Sequence, residues 1–240
     1  KAKRKLRVRR LHDQILGPGR VFSGTISLPD VNLAREYDAT RLGDVLANIK
    51  LGRALVYWTD GAFGGPGTKA GVMGAGVAWH DGSKYFTQSF HLGHGTGNHD
   101  DAELFAIAAA LGKAKKKVQS GRGVQLVRIY SDSLSILEAL RNGHAMRFGP
   151  MLSQRTALEG MYERADWLAV NGVAVTLIWV KAHSNSEGNR RADKAASAAV
   201  REQALVREQI GQGKIFTEAD IPDVWRKLGP DWAEEWLFRA

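Results

Sequence analysis

From Arg53 onward the chain changes hydrophobic period several times. Ala54 to Thr59 is a continuous apolar, β-prone run, and Gly71 to His80 and Lys84 to Leu92 are two more strand candidates. Between these last two stands Asp81-Gly82, a strong hairpin dipeptide. Then the period lengthens. Leu104, Ile107, Ala108 and Leu111 follow the i, i+3, i+4, i+7 rule of a helix with one buried stripe. Lys113 to Lys117 put positive charge at its C-terminal end, where the helix dipole favours it. Val124 to Tyr130 predicts a fourth strand, Ser133 the N-cap of a helix through Leu140, and Met151 to Val170 a further helix. Val173 to Val180 is a fifth strand, followed by an Ala-rich helix from about Asn189 to Ile210. The order β-β-β-α-β-α-α-β-α predicts an α/β fold: a mixed five-stranded sheet flanked by helices.

Both ends read as extensions. Gly17-Pro18-Gly19 and Ser27-Leu28-Pro29-Asp30 break residues 1–52, and a short helix is expected from Thr40 to Leu51 with Leu42, Val45, Leu46 and Ile49 on one face. The principal domain is expected over residues 53–210. In residues 211–240, Pro230 suits a helix N1 position, and Trp225, Trp232 and Trp236 are three of the seven tryptophans. They are expected to pack on the domain or on the N-terminal extension, or else to form a docking surface for another chain.

Charge sharpens this division. The net charge is +9, but Lys1 to Arg10 alone contain seven Lys or Arg and no acid, so the rest of the chain carries only +2. A basic arm of this kind suits nucleic-acid phosphates or an import receptor. At 240 residues and 44% hydrophobic content the chain can bury a full core. It has no cysteine, which excludes disulfides and thiolate metal sites and favours an intracellular setting, nuclear or cytoplasmic, with mitochondrial left open. No run approaches the ~18 apolar residues of a membrane span, and no apolar signal-peptide core follows the basic start, so no membrane association is expected. The chain starts at Lys1, which leaves open a processed product or a piece of a larger polyprotein.

Four acids stand out by local setting. Asp60 follows the first strand at a turn, Glu103 opens the long helix, Asp132 closes the fourth strand, and Asp193 lies near the start of the last helix, after His183 and Gly188-Asn189. Each alone has a structural explanation. Glu103 could be the capping-box partner of Asp100, Asp132 an acid favoured at a helix N-terminus, Asp193 a solvated helix residue and Asp60-Gly61 a turn. Together they suit a different chemistry. Phosphodiester hydrolysis needs an activated water, an in-line approach and stabilisation of the departing 3′ oxygen, which two divalent cations ~4 Å apart can supply. Mg²⁺ prefers carboxylate oxygens and keeps several waters, so a few Asp or Glu residues on different elements suffice. Strand ends of an open α/β sheet bring such residues together.

Arg53 to Val200 resembles ribonuclease H type 1, including the ribonuclease H domains of retroelement polyproteins. The matching motifs are Thr59-Asp60-Gly61-Ala62, Ala102-Glu103-Leu104-x-Ala106-Ile107, Tyr130-Ser131-Asp132-Ser133, and Trp179 to Ser184 running on to Gly188-Asn189-x-x-Ala192-Asp193. The resemblance implies a ribonuclease H-like fold with N- and C-terminal extensions and two Mg²⁺ ions, for which Mn²⁺ substitutes. It further implies that Asp60 bridges both metals, that Glu103 and Asp132 bind the one on the leaving-group side, and that Asp193 binds the one activating water. His183 is implied to assist proton transfer or product departure without being a ligand. Gly61, His99, Ser133 and Asn189 are the implied substrate contacts, His99 standing where the family often has an asparagine that touches the RNA strand. Three positions depart from the family pattern: the turn Phe63 to Gly67 lacks an Asn or Gln, Leu134 replaces a common Gln, and Arg190 replaces a usual Glu.

The expected activity is metal-dependent endonucleolytic hydrolysis of the RNA strand of an RNA/DNA hybrid. The alternative is a nucleic-acid-binding or assembly module that keeps the fold without turnover. A 3′-5′ exonuclease on the same fold typically carries Asp-x-Glu on its first strand, whereas Asp60 is followed by Gly61-Ala62.

Overall fold

The computed structural model describes residues 13–64, 71–121, 123–143 and 151–211. The basic arm Lys1 to Arg10, residues 65–67 of the turn after Phe63, and the tryptophans of residues 211–240 lie outside them. The elements are β1 (Thr25–Ser27), α1 (Val31–Lys50), β2 (Ala54–Gly64), β3 (Val72–His80), β4 (Tyr85–His94), α2 (His99–Ser120), β5 (Leu126–Ser131), α3 (Leu134–Arg141), α4 (Met151–Val170), β6 (Ala174–Trp179) and α5 (Glu187–Gly211).

One mixed sheet runs β1-β6-β5-β2-β3-β4. The β2–β3 and β3–β4 pairs are antiparallel, while β2–β5, β5–β6 and β6–β1 are parallel. The predicted α/β architecture is present, but the sheet has six strands and not five. The additional strand comes from the N-terminal segment: Thr25, Ile26 and Ser27 pair with Thr176, Leu177 and Ile178 and cover the edge of β6. An open edge leaves backbone donors and acceptors unpaired, and β1 satisfies them. Around it, Arg20 and Ser23 bond to the Asp166 carboxylate, and Phe22 packs edge-on against Tyr162 of α4.

Each face of the sheet has its own core. On one side α2, α3 and α4 bury Leu104, Ile107, Leu111, Leu137, Leu158, Met161 and Leu168 against Tyr57, Val127, Ile129 and Leu177. On the other, Val45 and Ile49 of α1 and Ala192 of α5 pack on Val56, Trp58, Ala78 and Tyr130, with Leu42 and Leu46 alongside. The apolar face expected for the first helix is therefore the face it buries. The helix itself begins nine residues earlier than expected, at Val31, because the Asp30 side chain accepts hydrogen bonds from the Asn32 and Leu33 N–H groups and caps it. Among the described residues no helix is long and apolar enough to cross a membrane.

Two glycines set how closely helices approach the centre of the sheet. A Cβ on Gly61 would lie 2.3 Å from the backbone nitrogen of Glu103, and one on Gly76 would lie 2.1 Å from the Ala192 carbonyl oxygen. Alternation along β2 sends Gly61 toward α2 and Trp58 and Asp60 toward α5. Asp60 and Gly76 are directly paired across β2 and β3. The missing side chains thus let α2 and α5 bring Glu103 and Asp193 down beside Asp60.

Candidate active site

Asp60 sits on β2, and the strand continues through it to Gly64, where the sequence suggests a turn after Thr59. The reason is cross-strand pairing: Gly61 to Gly64 stay in register with Ala75 to Val72 of β3. Parallel pairing of Thr59 with Ser131 sets the end of β5 beside Asp60, and Asp132 is the first residue beyond that strand. The Trp179 indole N–H, one strand over, donates to the Asp132 carbonyl oxygen at 3.2 Å.

Glu103 lies in the second turn of α2. It is not the helix cap partner. The capping box is Asn98 with Asp101, the Asn98 side chain accepting from the Asp101 N–H at 3.2 Å and Asp101 Oδ2 accepting from the Asn98 N–H at 2.7 Å. Glu103 is thereby free of a capping role and is buried, 2% exposed. The Gly61 N–H hydrogen-bonds its carboxylate. Its Oε2 has no hydrogen-bond partner.

Carboxylate oxygens of Asp60, Glu103 and Asp132 all lie within 4.8 Å of one another. Crowding of this kind shows in their proton affinities. Burial, then the charges of Asp132 and Asp193, push the Asp60 carboxyl up to about 8. Burial also raises Glu103 well above the carboxylate range, reinforced by Asp60 and Asp132. Asp132 is raised by burial, but Asn189, His183 and His99 oppose the rise. Asn189 does so through a bond from its Nδ2 to Asp132 Oδ2 at 2.9 Å.

Three carboxylates held together, two of them buried and one with an orphaned oxygen, are destabilising unless a cation or protons neutralise them. All the donors are hard oxygens, so the residues fit a divalent cation of the Mg²⁺ or Mn²⁺ type and offer nothing to a soft metal. Asp193 lines the same cleft from α5, within reach to raise Asp60, and accepts a long 3.5 Å bond from Ser197 Oγ. It is outside the tight group of three.

The cleft, of about 510 Å³, is also lined by Gly61, His99, Ser133, His183 and Asn189, so it gathers every residue singled out from the sequence. His99 Nδ1 is 3.9 Å from Glu103 Oε1. Ser133 takes the N-cap position of α3 without a side-chain cap bond, and its N–H donates to Ser131 Oγ. Asn189 is buried and its N–H donates to Ser186 Oγ at 3.0 Å. Arg190 is drawn to Glu187 one turn back. Sequence reading missed Asp100, Ser135 and Ser186, all of which line the cleft. The Ser186-x-x-Asn189 spacing, a helix-start signature, could have revealed the last.

Residues 52–201 match the model of the RNase H family. The chain is 28% identical over 165 residues to Ribonuclease HI of Synechocystis sp., an alignment spanning 66% of this chain and 96% of that protein. Among solved structures, an N-terminal RNase H domain from Mycobacterium tuberculosis is 21% identical, covering 61% of this chain and 98% of its own, with a TM-score of 0.42. The prototype foamy virus RNase H domain is 22% identical, covering 61% and 93%, with a TM-score of 0.45. With the family match spanning well over half of its length, this chain belongs to the RNase H family.

Proposed function

We propose that this protein is an endonuclease that hydrolyses the RNA strand of RNA/DNA hybrids, using two Mg²⁺ ions. The observation that carries the reading is the trio Asp60, Glu103 and Asp132, the first two buried and the third half-buried, with carboxylate oxygens within 4.8 Å and Glu103 Oε2 unpartnered. Asp60, Glu103 and Asp132, joined by Asp193 from α5, would hold the ions through their carboxylate oxygens. Bound there, the ions would supply an acidified water and charge neutralisation at the departing 3′ oxygen. Water's oxygen forms a bond to phosphorus as the P–O3′ bond breaks, leaving a 5′-phosphate and a 3′-hydroxyl.

The remaining residues position and move protons. His183, on the loop between β6 and α5, lines the cleft, where its imidazole would pass a proton or ease product departure. Asn189 holds Asp132 in orientation. Gly61, His99, Ser133 and Asn189 would meet the nucleic acid along the cleft, where successive 2′-hydroxyls identify the RNA strand. The basic arm Lys1 to Arg10 would add affinity for phosphates regardless of sequence. A binding module without turnover has no use for crowded carboxylates whose repulsion lowers stability.

Labelled RNA/DNA hybrid, double-stranded RNA and single-stranded RNA, each incubated with the protein in Mg²⁺, test the reading. Selective cleavage of the hybrid's RNA strand is expected, with Asp60→Asn inactive but folded. Absence of hybrid cleavage, or Asp60→Asn cutting at near wild-type rate, would overturn it.

A further inference from the structure

A second cavity, of about 420 Å³, opens beside the cleft and is lined by Arg35, Lys181, Ala182, His183, Ser184 and Asn185. Its character is opposite to that of its neighbour. The cleft is walled by Asp60, Asp100, Glu103, Asp132 and Asp193, whereas none of the six residues around the second cavity is acidic and two are basic. Ala182, His183 and Ser184 line both, so the two are neighbours along the loop between β6 and α5.

Arg35 comes from α1, outside the residues 52–201 that match the family. Its position is not accidental to a loose tail. Asp30 caps the helix that carries it, and the carbonyl of the preceding residue, buried Ala34, accepts a 2.8 Å hydrogen bond from the backbone N–H of Lys181. One backbone bond therefore brings Arg35 and Lys181 to the wall of one cavity. Among the described residues neither Arg35 nor Lys181 is engaged in an ion pair, and Ser184 Oγ is buried without a hydrogen-bond partner. Two like charges lining one cavity repel each other, and an anion between them relieves that repulsion.

We propose that Arg35 and Lys181 form a phosphate subsite for the backbone of the nucleic acid whose scissile phosphate enters the neighbouring acidic cleft. The inference rests on the nuclease reading, and adds a substrate contact contributed by the N-terminal segment. Arg35 presents a guanidinium fork that suits two phosphate oxygens, Lys181 a point charge, and the Ser184 hydroxyl and Asn185 amide can donate further bonds. Such a subsite positions the strand and carries no base information.

The test uses the full chain and its Arg35→Glu, Arg35→Lys and Lys181→Ala variants. Affinity for an RNA/DNA hybrid is measured in Ca²⁺ at several salt concentrations, alongside hybrid cleavage in Mg²⁺ and a thermal melt. Arg35→Glu is expected to weaken binding roughly three- to tenfold at low salt. It should flatten the log–log salt slope by about 0.7–0.9, with Lys181→Ala acting in the same direction. KM should rise with kcat little changed, and Arg35→Lys should recover part of the loss. An unchanged affinity and salt slope in Arg35→Glu, with the wild type cleaving hybrid, would overturn the subsite and leave the nuclease reading standing. A wild type that binds hybrid through Arg35 but never cleaves it would do the reverse. No binding of hybrid by the wild type would overturn both.

Discussion

Asn189, in the first turn of α5, donates its Nδ2–H to Asp132 Oδ2 at 2.9 Å and is itself fixed by Ser186 at the start of the same helix. The bond opposes the burial that raises Asp132, and so keeps that carboxylate more acidic than its surroundings would otherwise allow. Asn189→Ala removes the donor, so the Asp132 proton affinity rises and protons compete better with a cation. The acid limb of the hybrid-cleavage pH profile should move to higher pH, and cation affinity or rate should fall about 10–100-fold, the usual effect of losing such an orienting partner. A pH–rate profile for the variant that superimposes on the wild type, apart from scale, would show that Asn189 does not tune Asp132.

The crowded carboxylates make a second prediction about stability without metal. Asp60 titrates near 8 in the folded state against an ordinary value of 3.8, and Glu103 is raised with it. The folded protein therefore binds these protons more tightly than the unfolded chain. The contribution of Asp60 to stability is complete below about pH 4 and is lost as pH rises through about 8, and Glu103 acts in the same direction. Chelated protein should melt at progressively lower temperature between pH 5 and 8.5, the change amounting to a few kcal/mol at most. Saturating Mg²⁺ should remove most of the decline, and Asp60→Asn should flatten it. A chelated wild type that tracks Asp60→Asn across this range would contradict the assigned shift.

Backbone proximity gives a third. Gly61→Ala would place its methyl carbon 2.3 Å from the Glu103 nitrogen, so α2 must move or β2 must bend. The expected destabilisation is about 1–3 kcal/mol, as for other forced overpacking. Activity should suffer more than stability does, because a displacement of ~1 Å at a reacting centre can cost 10²-fold in rate. Denaturant unfolding and single-turnover cleavage on the same preparation separate the two effects. Full activity in Gly61→Ala would mean that the spacing between α2 and β2 is adjustable.

Much of this arrangement was legible in the sequence because it is local. The hairpin at Asp81-Gly82, the stripe Leu104 to Leu111 and the limits of α4 all follow from short-range pattern. What escaped depends on distant partners. Thr25 to Ser27 becomes a strand only because β6 offers an edge about 150 residues later, and Ser27-Leu28-Pro29-Asp30 reads locally as a turn. Gly61 to Gly64 read as a turn, but β3 holds them extended and α2 requires Gly61 to be small. For Glu103 the sequence leaves a capping role beside the site role, and only the structure separates them, Asn98 and Asp101 forming the cap and Glu103 lining the cleft. Arg35 carried no signal at all, since its place depends on Lys181 bonding to Ala34 across the fold.

His183 supplies the last prediction through its backbone. Its φ of 51° makes it the one non-glycine residue with positive φ among the described residues. A side chain in this left-handed region costs roughly 1–2 kcal/mol. Such strain persists where a function holds the residue in place, and here it turns the imidazole to the rim of the cleft. If the imidazole serves proton transfer, His183→Ala and His183→Gly should slow cleavage by similar factors, up to about 10²–10⁴-fold. The two should differ in stability: the glycine variant should melt above the alanine variant, because only alanine keeps the Cβ that the left-handed backbone disfavours. Cation affinity, followed by the metal-dependent rise in melting temperature, should be unchanged in both. Loss of that rise would make His183 a ligand, and full activity in His183→Gly would show that the loop conformation matters and the imidazole does not.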